Sequence, residues 1–327
     1  MRIVIIRLSC RVLMSVVFVG RVCRPGLLGA PASALVALLA CLPPAAAAPA
    51  PMVVAADGVL CDITRTLAAE QVKVLCLIPA GADPHQAVLR PRDRQALAEA
   101  KLVLVNGYGL TPALQRVKSS APRVAVAELA VPESPGRDPH VWHNSSQVAA
   151  MVSVVEGRLV AVLPAAAAAG VKQRSQAARS VLDALGTWTG AQIRTVPEST
   201  RVLVTEHRAF SSFARRYGIR ELPLLDAYTT AGVLRPASLA AMTKAIRESG
   251  TRQLFAESSP VSKTLRRVSR SSGVPVNPTP LVADGLAPGR STVQTATGNV
   301  CTFVDGQGGR CDRAAADQLA QRWAAIR

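Results

Sequence analysis

Aromatic residues make up only 3% of this 327-residue chain, and histidine occurs only four times. So few aromatic side chains argue against the base-stacking surfaces of single-stranded nucleic-acid binders. Lysine is also scarce, with six residues among 38 basic ones, so the net charge of +17 comes almost entirely from scattered Arg. Scattered arginines without a binding motif favour a solvated surface, so we expect no nucleic-acid partner. Such a charge also favours attraction to an anionic membrane surface.

Acidic residues are absent from the first 48 positions, which contain five Arg and an apolar stretch rich in Ala and Leu. A basic start, an apolar stretch and a small-residue end predict a signal peptide over residues 1–48, with Met14 as an alternative start. We expect cleavage after the Ala-rich residues 45–48. The alternative is a lipid anchor on Cys41, because residues 38–41 resemble a lipobox. We therefore expect a periplasmic or secreted protein of net charge +12, without the five leader arginines.

Beyond the leader, we expect no apolar run long enough to span a bilayer. Four cysteines remain there, at Cys61, Cys76, Cys301 and Cys311. An even number of cysteines in an oxidising compartment predicts disulfides. Because each pair closes a short loop, we predict that Cys61 pairs with Cys76 and Cys301 with Cys311. No Cys-x-x-Cys spacing occurs, which argues against a zinc-thiolate site.

Runs rich in Val, Ile and Leu alternate with helical patterns, which is typical of α/β folds with parallel sheets. The hydrophobicity within the runs is continuous, as in strands that are buried on both faces. Strands are predicted at residues 52–56, 72–79, 101–106, 123–127, 201–205 and 252–256. Helices are predicted at residues 61–70, 92–100, 209–217, 236–249 and 262–272.

The middle of the chain carries no strand signal. Apolar residues recur there at helical spacing, which predicts one long helix from about residue 171 to 194. The Ala run at residues 165–169 is either the start of this helix or a small loop, and Gly186 and Gly190 weaken the pattern in its last turns. The expected organisation is listed in chain order: signal peptide 1–48, N-terminal α/β lobe 50–160, linking helix 164–195 and C-terminal α/β lobe 200–327.

All four histidines lie in three short segments, residues 82–85, 137–143 and 205–207, and the tripeptide Asp-Pro-His occurs twice. A single His is usually a core or surface residue, but this clustering indicates a shared site. His85 follows a predicted strand and His207 follows another, and ligands of open α/β sheets bind at the carboxyl ends of strands. We therefore predict that three histidines bind a divalent metal ion: His85, His140 and His207.

A fourth ligand is expected to be a carboxylate, and the candidates are Asp284 and Glu257. Three imidazoles with one carboxylate suit zinc, whereas a set richer in oxygen suits manganese. Asp83 and Asp138 are candidates for orienting the imidazoles. The alternative is that both only initiate turns, because Asp-Pro is a common start of a turn.

Longer segments resemble the substrate-binding proteins of bacterial zinc and manganese ABC transporters, the group with a rigid linking helix. The resemblance extends from about residue 53 to 309. The segments that carry it are LIPAGADPH (77–85), PRD (91–93), LVLVNGYGL (102–110), DPHVWHN (138–144) and VTEHRAF (204–210).

This resemblance implies two α/β lobes with parallel sheets, joined by one long helix, and a metal ion in the cleft between them. The ligands that it implies are His85 and His140 from the first lobe and His207 and Asp284 from the second. Histidine at the third ligand position resembles the zinc type and glutamate the manganese type. Zn²⁺ is therefore the expected transported ion, and Mn²⁺ is the alternative.

The chain departs from the family pattern at several positions. Residues 113–137 contain no His, although zinc-type members often have a His-rich loop there, and residues 226–230 replace a more acidic stretch. Glu206 stands where a small or uncharged residue is usual. We expect Glu206, His143 and Glu257 to lie near the metal, either behind the ligands or as alternate ligands. The alternative for Glu206 is a side chain that is simply exposed.

The resemblance also implies a monomeric binding protein that passes Zn²⁺ to a membrane permease driven by a cytoplasmic ATPase. No HExxH, GxSxG or P-loop signature is present, which argues against an enzyme. The rival from another class is a secreted zinc hydrolase with Glu206 or Glu257 as general base. A periplasmic metal chaperone or sensor with the same fold is a further alternative.

Overall fold

The computed structural model describes residues 49–227 and 236–326. The predicted signal peptide and the alternative lipid site at Cys41 lie outside the described residues, as do residues 228–230 of the segment that departs from the family pattern. From Pro49 to Arg327 the chain forms one compact unit.

A parallel sheet organises the first half of the described chain. Its strands are β1 Met52–Ala55, β2 Lys73–Cys76, β3 Leu102–Val105 and β4 Arg123–Ala125. Their spatial order is β2-β1-β3-β4, and Val53 pairs with Val74 on one side and with Leu102 on the other. β1 and β3 are almost wholly buried, which explains their continuous apolar sequences. Four predicted strands are thus confirmed, with shorter bounds.

Five helices surround this sheet, and we call the sheet and these helices the first lobe. They are α1 Gly58–Ala68, α2 Pro91–Glu99, α3 Pro112–Gln115, α4 Val126–Ala130 and α5 Ser145–Val162. α1 begins after Asp57, whose carboxylate accepts a hydrogen bond from the Leu60 amide at 3.0 Å. Proline occupies the first position of α2 and α3, where its missing N–H costs nothing. The predicted helices at 61–70 and 92–100 are confirmed.

Helix α5 is long and apolar enough to cross a membrane by length and composition alone, so the expectation that no such run follows the leader is wrong. In this fold it is a core helix. Val148, Val152 and Val155 on α5 are fully buried, and the helix packs along its successor in the chain. The apolar composition of α5 is therefore explained by burial against neighbouring helices.

The long central helix, α6, runs from Ala165 to Arg194 and has 30 residues. The prediction of 171–194 has the correct end, and the Ala run is part of the helix because alanine is the best helix former. Gly186 lies at a close contact between the helices, since a Cβ there would lie 2.7 Å from the Ser145 hydroxyl oxygen on α5. The tertiary contact thus overrides the weak helix propensity of glycine.

The second half of the described chain contains β5 Val202–His207 and β6 Arg220–Leu225, which pair in parallel. The sequence pattern predicts β5 but not β6, because Glu221 and Pro223 interrupt the apolar run. A proline is tolerated in β6 because this strand lies at the edge of its two-stranded sheet.

The predicted strand at 252–256 is wrong. The segment is buried beside β5, and the Phe255 amide donates to the Val204 carbonyl at 3.0 Å. On its other side it makes one isolated bridge, between Leu254 and Val276, and one further backbone hydrogen bond, from the Leu281 amide to the Ala256 carbonyl at 2.8 Å. Pro275 in the neighbouring segment has no N–H to donate, so the ladder cannot extend towards the start of that segment.

Five helices complete the second lobe, as we call β5, β6 and these helices. They are α7 Ser211–Tyr217, α8 Pro236–Glu248, α9 Lys263–Ser272, α10 Thr292–Gly306 and α11 Arg313–Ala324. The predictions at 209–217, 236–249 and 262–272 are confirmed. The sequence pattern does not predict α10, because this helix is rich in Thr, Val and Gly, which are poor helix formers. Its start is fixed by a capping box between Ser291 and Gln294.

Helix α6 links the two lobes, because it packs against α1 and α5 on one side and against α10 and α11 on the other. Both predicted disulfides are present. Cys61 on α1 is joined to Cys76 at the end of β2, and Cys301 on α10 is joined to Cys311 before α11.

A buried carboxylate also joins the lobes. Asp62 on α1 accepts hydrogen bonds from the Thr292 amide at 2.8 Å and from the Trp323 indole N–H at 3.0 Å. Asp62 and Trp323 are 8% and 1% exposed, so water cannot replace these bonds freely. Asp62 thereby ties the first lobe to the start of α10 and to α11.

Replacement of Asp62 by Ala leaves two buried donors without this acceptor. We expect Asp62→Ala to lower the free energy of unfolding by about 3 kcal/mol, measured by urea denaturation followed by circular dichroism. The matched control is Asp183→Ala, which removes an exposed carboxylate from α6 and is expected to change the free energy by less than about 0.5 kcal/mol. Equal effects of the two substitutions contradict the proposed role of Asp62.

Candidate metal centre

Four side chains from both lobes converge at one point. His85 lies in the short turn Pro84–Gln86 that follows β2, and His140 directly precedes the turn Val141–His143. His207 is the last residue of β5, and Asp284 lies in the loop before α10. One ligand atom of each of the four lies within 4.8 Å of those of the others.

The Asp284 carboxylate is the common neighbour of the three imidazoles. Its Oδ1 lies 3.2 Å from His85 Nε2, 3.3 Å from His140 Nε2 and 3.7 Å from His207 Nε2. The Nε2 atoms of His85 and His140 are 3.2 Å apart. All three imidazoles therefore present the same ring nitrogen to one carboxylate oxygen.

Two atoms of this cluster are buried without a hydrogen-bond partner among the described residues: His207 Nε2 and Asp284 Oδ1. Buried polar atoms are normally hydrogen-bonded, because desolvation without a partner is costly. The shared point that these atoms face is therefore suited to a cation that accepts their lone pairs.

Carboxylates behind two of the imidazoles fix the orientation of the rings. Asp138 Oδ1 lies 2.9 Å from His140 Nδ1 and also accepts a hydrogen bond from the His140 amide at 2.9 Å. Glu257 Oε2 lies 2.6 Å from His207 Nδ1. When Nδ1–H donates to a carboxylate, Nε2 is left as the acceptor nitrogen that faces the cluster.

Glu257 is held by a reciprocal pairing with Glu206. Glu257 Oε1 accepts from the amides of Glu206 and His207 at 2.9 and 3.1 Å, and Glu206 Oε2 accepts from the Glu257 amide at 3.0 Å. Glu257 thus contacts the nitrogen of His207 that points away from the cluster, while Asp284 faces the cluster itself. Asp284 and Glu257, the two candidates for the fourth ligand, therefore occupy different places, and only Asp284 faces the cluster.

His143 contacts the backbone beside Asp284. Its Nε2 lies 2.8 Å from the Ala283 carbonyl oxygen, and its ring packs on Phe210 with centroids 4.2 Å apart. On the same loop, Asn299 accepts from the Val282 amide and donates to the Val282 carbonyl, at 2.9 and 2.8 Å. The backbone that carries Asp284 is therefore fixed from the first lobe and from α10.

Asp83 belongs to the turn that presents His85. Its Oδ1 accepts a hydrogen bond from the His85 amide at 2.8 Å, and its Oδ2 accepts from the Gln86 side chain at 3.0 Å. These contacts match the turn-initiating interpretation of the first Asp-Pro-His. In the second Asp-Pro-His, Asp138 combines both interpretations, since it accepts from the His140 amide and from the His140 ring.

The charges of the cluster are strongly coupled. Burial lowers the pKa of His207, but the carboxylates of Asp284 and Glu257 outweigh burial and raise this pKa to about 10. Burial also lowers the pKa of His140, but the carboxylates of Asp138 and Asp284 outweigh burial and raise this pKa above its usual value. Burial raises the pKa of Asp284, but the surrounding imidazoles hold it well below its usual range. The cluster therefore holds a proton when no metal is bound.

His143 behaves differently from these imidazoles. Burial lowers the pKa of His143 to about 4, and the hydrogen bond with the Ala283 carbonyl does not offset this. His143 is therefore neutral near pH 7, with the proton on Nε2, which donates to the Ala283 carbonyl.

The cluster opens into a cleft of about 800 Å³. His207 and Asp284 line this cleft together with Asp83, Gln86 and Glu257. His140, in contrast, has no exposed surface. The cleft gives an ion access to the cluster on one side, while the opposite side is closed by protein.

Sequence reasoning does not find the backbone and aromatic partners of the site. Every residue has a backbone carbonyl, so the residue type at Ala283 does not predict its contact with His143. Phe210 cannot be distinguished in the sequence from an ordinary core residue. The position of Ser212, whose hydroxyl donates to the His140 carbonyl at 3.0 Å, is likewise a product of the tertiary fold.

Residues 53–306 match the family described as zinc-uptake complex component A, periplasmic. The zinc-binding protein TroA of Treponema pallidum is 30% identical to this chain over 226 residues, which are 66% of this chain and 72% of that protein. The manganese-binding lipoprotein MntA of Halalkalibacterium halodurans is 28% identical over 233 residues, which are 68% of this chain and 76% of that protein.

The fold leads to the same family. The solved structure of the periplasmic zinc-binding protein TroA from Treponema pallidum has a TM-score of 0.73 and 27% identity, and covers 80% of this chain and 99% of that one. This likeness confirms the predicted architecture of two α/β lobes with parallel sheets linked by a long helix. The chain therefore belongs to the zinc-uptake complex component A family of periplasmic metal-binding proteins, which are solute-binding proteins of ABC transporters and not enzymes.

Proposed function

We propose that the chain binds Zn²⁺ in the cleft between its lobes and delivers it to the membrane permease of an ABC transporter. The ligands in this proposal are Nε2 of His85, His140 and His207 and Oδ1 of Asp284. The observation that carries the proposal is the convergence of these four atoms within 4.8 Å, with two of them buried and lacking a hydrogen-bond partner among the described residues.

The spacing of the four atoms supports a tetrahedral ion. Ligands about 2.0–2.1 Å from a tetrahedral zinc ion lie about 3.3–3.4 Å from one another. Four of the pairs in this cluster are 3.2, 3.2, 3.3 and 3.7 Å apart. Only small movements of the side chains would therefore be needed to place an ion between them.

The donor types support zinc over manganese. Imidazole nitrogen suits zinc, whereas manganese prefers sites richer in oxygen. Manganese remains the second candidate, because MntA, which resembles this chain as much as TroA does, is named as manganese-binding. A competition titration distinguishes the two, and we expect Zn²⁺ to displace Mn²⁺ at equal concentrations.

Delivery requires that the ion can leave as well as enter. The cleft provides an open path to His207 and Asp284, and two of the proposed ligands come from each lobe. A change in the distance between the lobes would therefore separate the ligand pairs and release the ion. We propose that docking on the permease, powered by its ATPase, drives this change in an exported protein cleaved after its leader.

We expect His207→Ala to weaken zinc binding at least about 100-fold, because one of four ligands is lost from a site whose affinity is distributed over all four. Isothermal titration calorimetry measures the change. The matched control is His143→Ala, which also removes a partly buried imidazole near the metal cluster but none of the proposed ligands. We expect a loss of about tenfold or less for His143→Ala, through a less fixed Asp284. Equal losses for the two variants would contradict the ligand assignment.

Glu257→Gln retains the shape of the side chain but removes the charge behind His207. We expect this substitution to weaken zinc binding about 10–100-fold, which is typical when the partner of a ligating imidazole is changed. The control is Glu206→Gln, since Glu206 contacts the Glu257 amide and not the ring of His207. If both substitutions leave the affinity unchanged, Glu257 has no orienting role.

The pH dependence follows from the raised pKa of His207. Its folded pKa of about 10 lies above the ordinary value of 6.5, so protonation stabilises the metal-free protein below about pH 6.5, and this contribution is lost as the pH rises through 10. Zinc requires the neutral ring, so binding must release this proton. We expect zinc affinity to fall at least about tenfold per unit between about pH 7.5 and 5.5, measured by calorimetry.

Calorimetry in buffers of different ionisation enthalpy counts the protons released. We expect at least about one proton per bound zinc ion at about pH 7.5. Binding without proton release, together with an affinity that is independent of pH, would contradict ligation by these imidazoles.

A further inference from the structure

Helix α9 carries a continuous basic face. Four cationic residues with exposed side chains lie on it, namely Lys263, Arg266, Arg267 and Arg270. Successive residues of an α-helix are rotated by about 100° around its axis, so the four side chains fall within an arc about 100° wide. Leu265 and Val268, which are fully buried, lie on the opposite side of the helix and anchor it to the second lobe. The rotation of α9 therefore directs all four cations to solvent.

The ends of α9 fix this rotation. The Ser262 hydroxyl accepts a hydrogen bond from the Leu265 amide at 3.1 Å and caps the first turn. Gly273, at φ 76°, ends the helix in the left-handed conformation that glycine favours. The register of the basic face is thus set by local capping and by the two buried side chains.

Within the described part of the chain, no carboxylate forms an ion pair with these four cations. The sequence from Ser258 to Ala283 contains no Asp or Glu. By contrast, Arg179 on α6 pairs with Glu156 at 2.8 Å. Arg247 on α8 donates to the Ser271 carbonyl and adds a fifth cation at the end of the face.

We propose that the basic face of α9 binds the surface of a bilayer that contains anionic phospholipids. Clusters of Lys and Arg on one helix face attract such a surface, and the attraction falls off within a Debye length. The solvent face of α9 carries no aromatic or large apolar side chain, which argues against insertion into the bilayer and against stacking on nucleic-acid bases. The chemistry is therefore that of electrostatic adsorption to phosphate headgroups.

The position of α9 gives this adsorption a consequence. Ser262 and Thr264, at the start of the helix, line the cleft that leads to His207 and Asp284. A protein held by α9 would keep the mouth of this cleft close to the membrane surface. The inference goes beyond the proposed function, since it does not depend on which metal ion is bound.

The test is a vesicle co-sedimentation assay with the chain that begins at Pro49, because an apolar leader would bind lipid by itself. The probes are vesicles with about 30% phosphatidylglycerol and vesicles of phosphatidylcholine alone, in about 50 and about 500 mM NaCl. We expect binding to the anionic vesicles at low salt only. Each cation contributes about fivefold to the partition coefficient, so Lys263→Gln, Arg266→Gln, Arg267→Gln and Arg270→Gln together should lower it by about 600-fold.

The matched control removes the same charge from four exposed arginines of the first lobe, whereas α9 belongs to the second. Its substitutions are Arg65→Gln, Arg94→Gln, Arg116→Gln and Arg158→Gln. We expect the control to lose less than about tenfold in partition, because these charges lie on, or directly after, four different helices and not on one helix face. Zinc titration of both variants should give the affinity of the unsubstituted chain, which shows that they fold and separates this test from that of the metal site.

Two results overturn the inference. One is the absence of binding to anionic vesicles at low salt. The other is an equal loss in both four-residue variants, because the attraction would then come from the net charge of the protein and not from the face of α9.

Discussion

The convergence of three imidazole nitrogens on one carboxylate oxygen is the constraint on which the rest of this structure depends. Asp284 Oδ1 lies within 3.7 Å of Nε2 of His85, His140 and His207, in a place that is largely closed to water. Desolvated donors at this spacing need a shared cation or protons, which explains why His207 has a pKa of about 10 without a metal ion. Binding of metal and binding of protons are therefore alternatives at the same atoms.

The fold provides this convergence by bringing strand ends from two lobes to one cleft. His85 follows β2 and His207 ends β5, and the carboxyl ends of parallel strands are where such folds place ligands. Helix α6 packs against both lobes, and Asp62 ties α1 to α10 and α11. Behind the ligands, Asp138 and Glu257 select the nitrogen that each ring presents. The rigid parts of the molecule thus determine where the ligand atoms meet.

Much of this could be predicted from sequence, and the exceptions have physical reasons. The clustering of histidines and the repeated Asp-Pro-His identify the residues that converge, because both depend on local order along the chain. The strand β6 and the false strand at 252–256 depend on proline and on which neighbour each segment pairs with, and such pairing is not encoded locally. The contact of His143 with the Ala283 carbonyl spans 140 residues of sequence and involves a backbone atom, so no pattern of residue types predicts it.

The identity of the ion and its ligands is tested most directly by X-ray absorption at the zinc edge on the zinc-loaded protein. We expect a four-coordinate ion with three imidazole nitrogens and one carboxylate oxygen, at about 2.0–2.1 Å. A spectrum with sulfur ligands, or with six light ligands of which fewer than three are imidazoles, would contradict the site formed by His85, His140, His207 and Asp284.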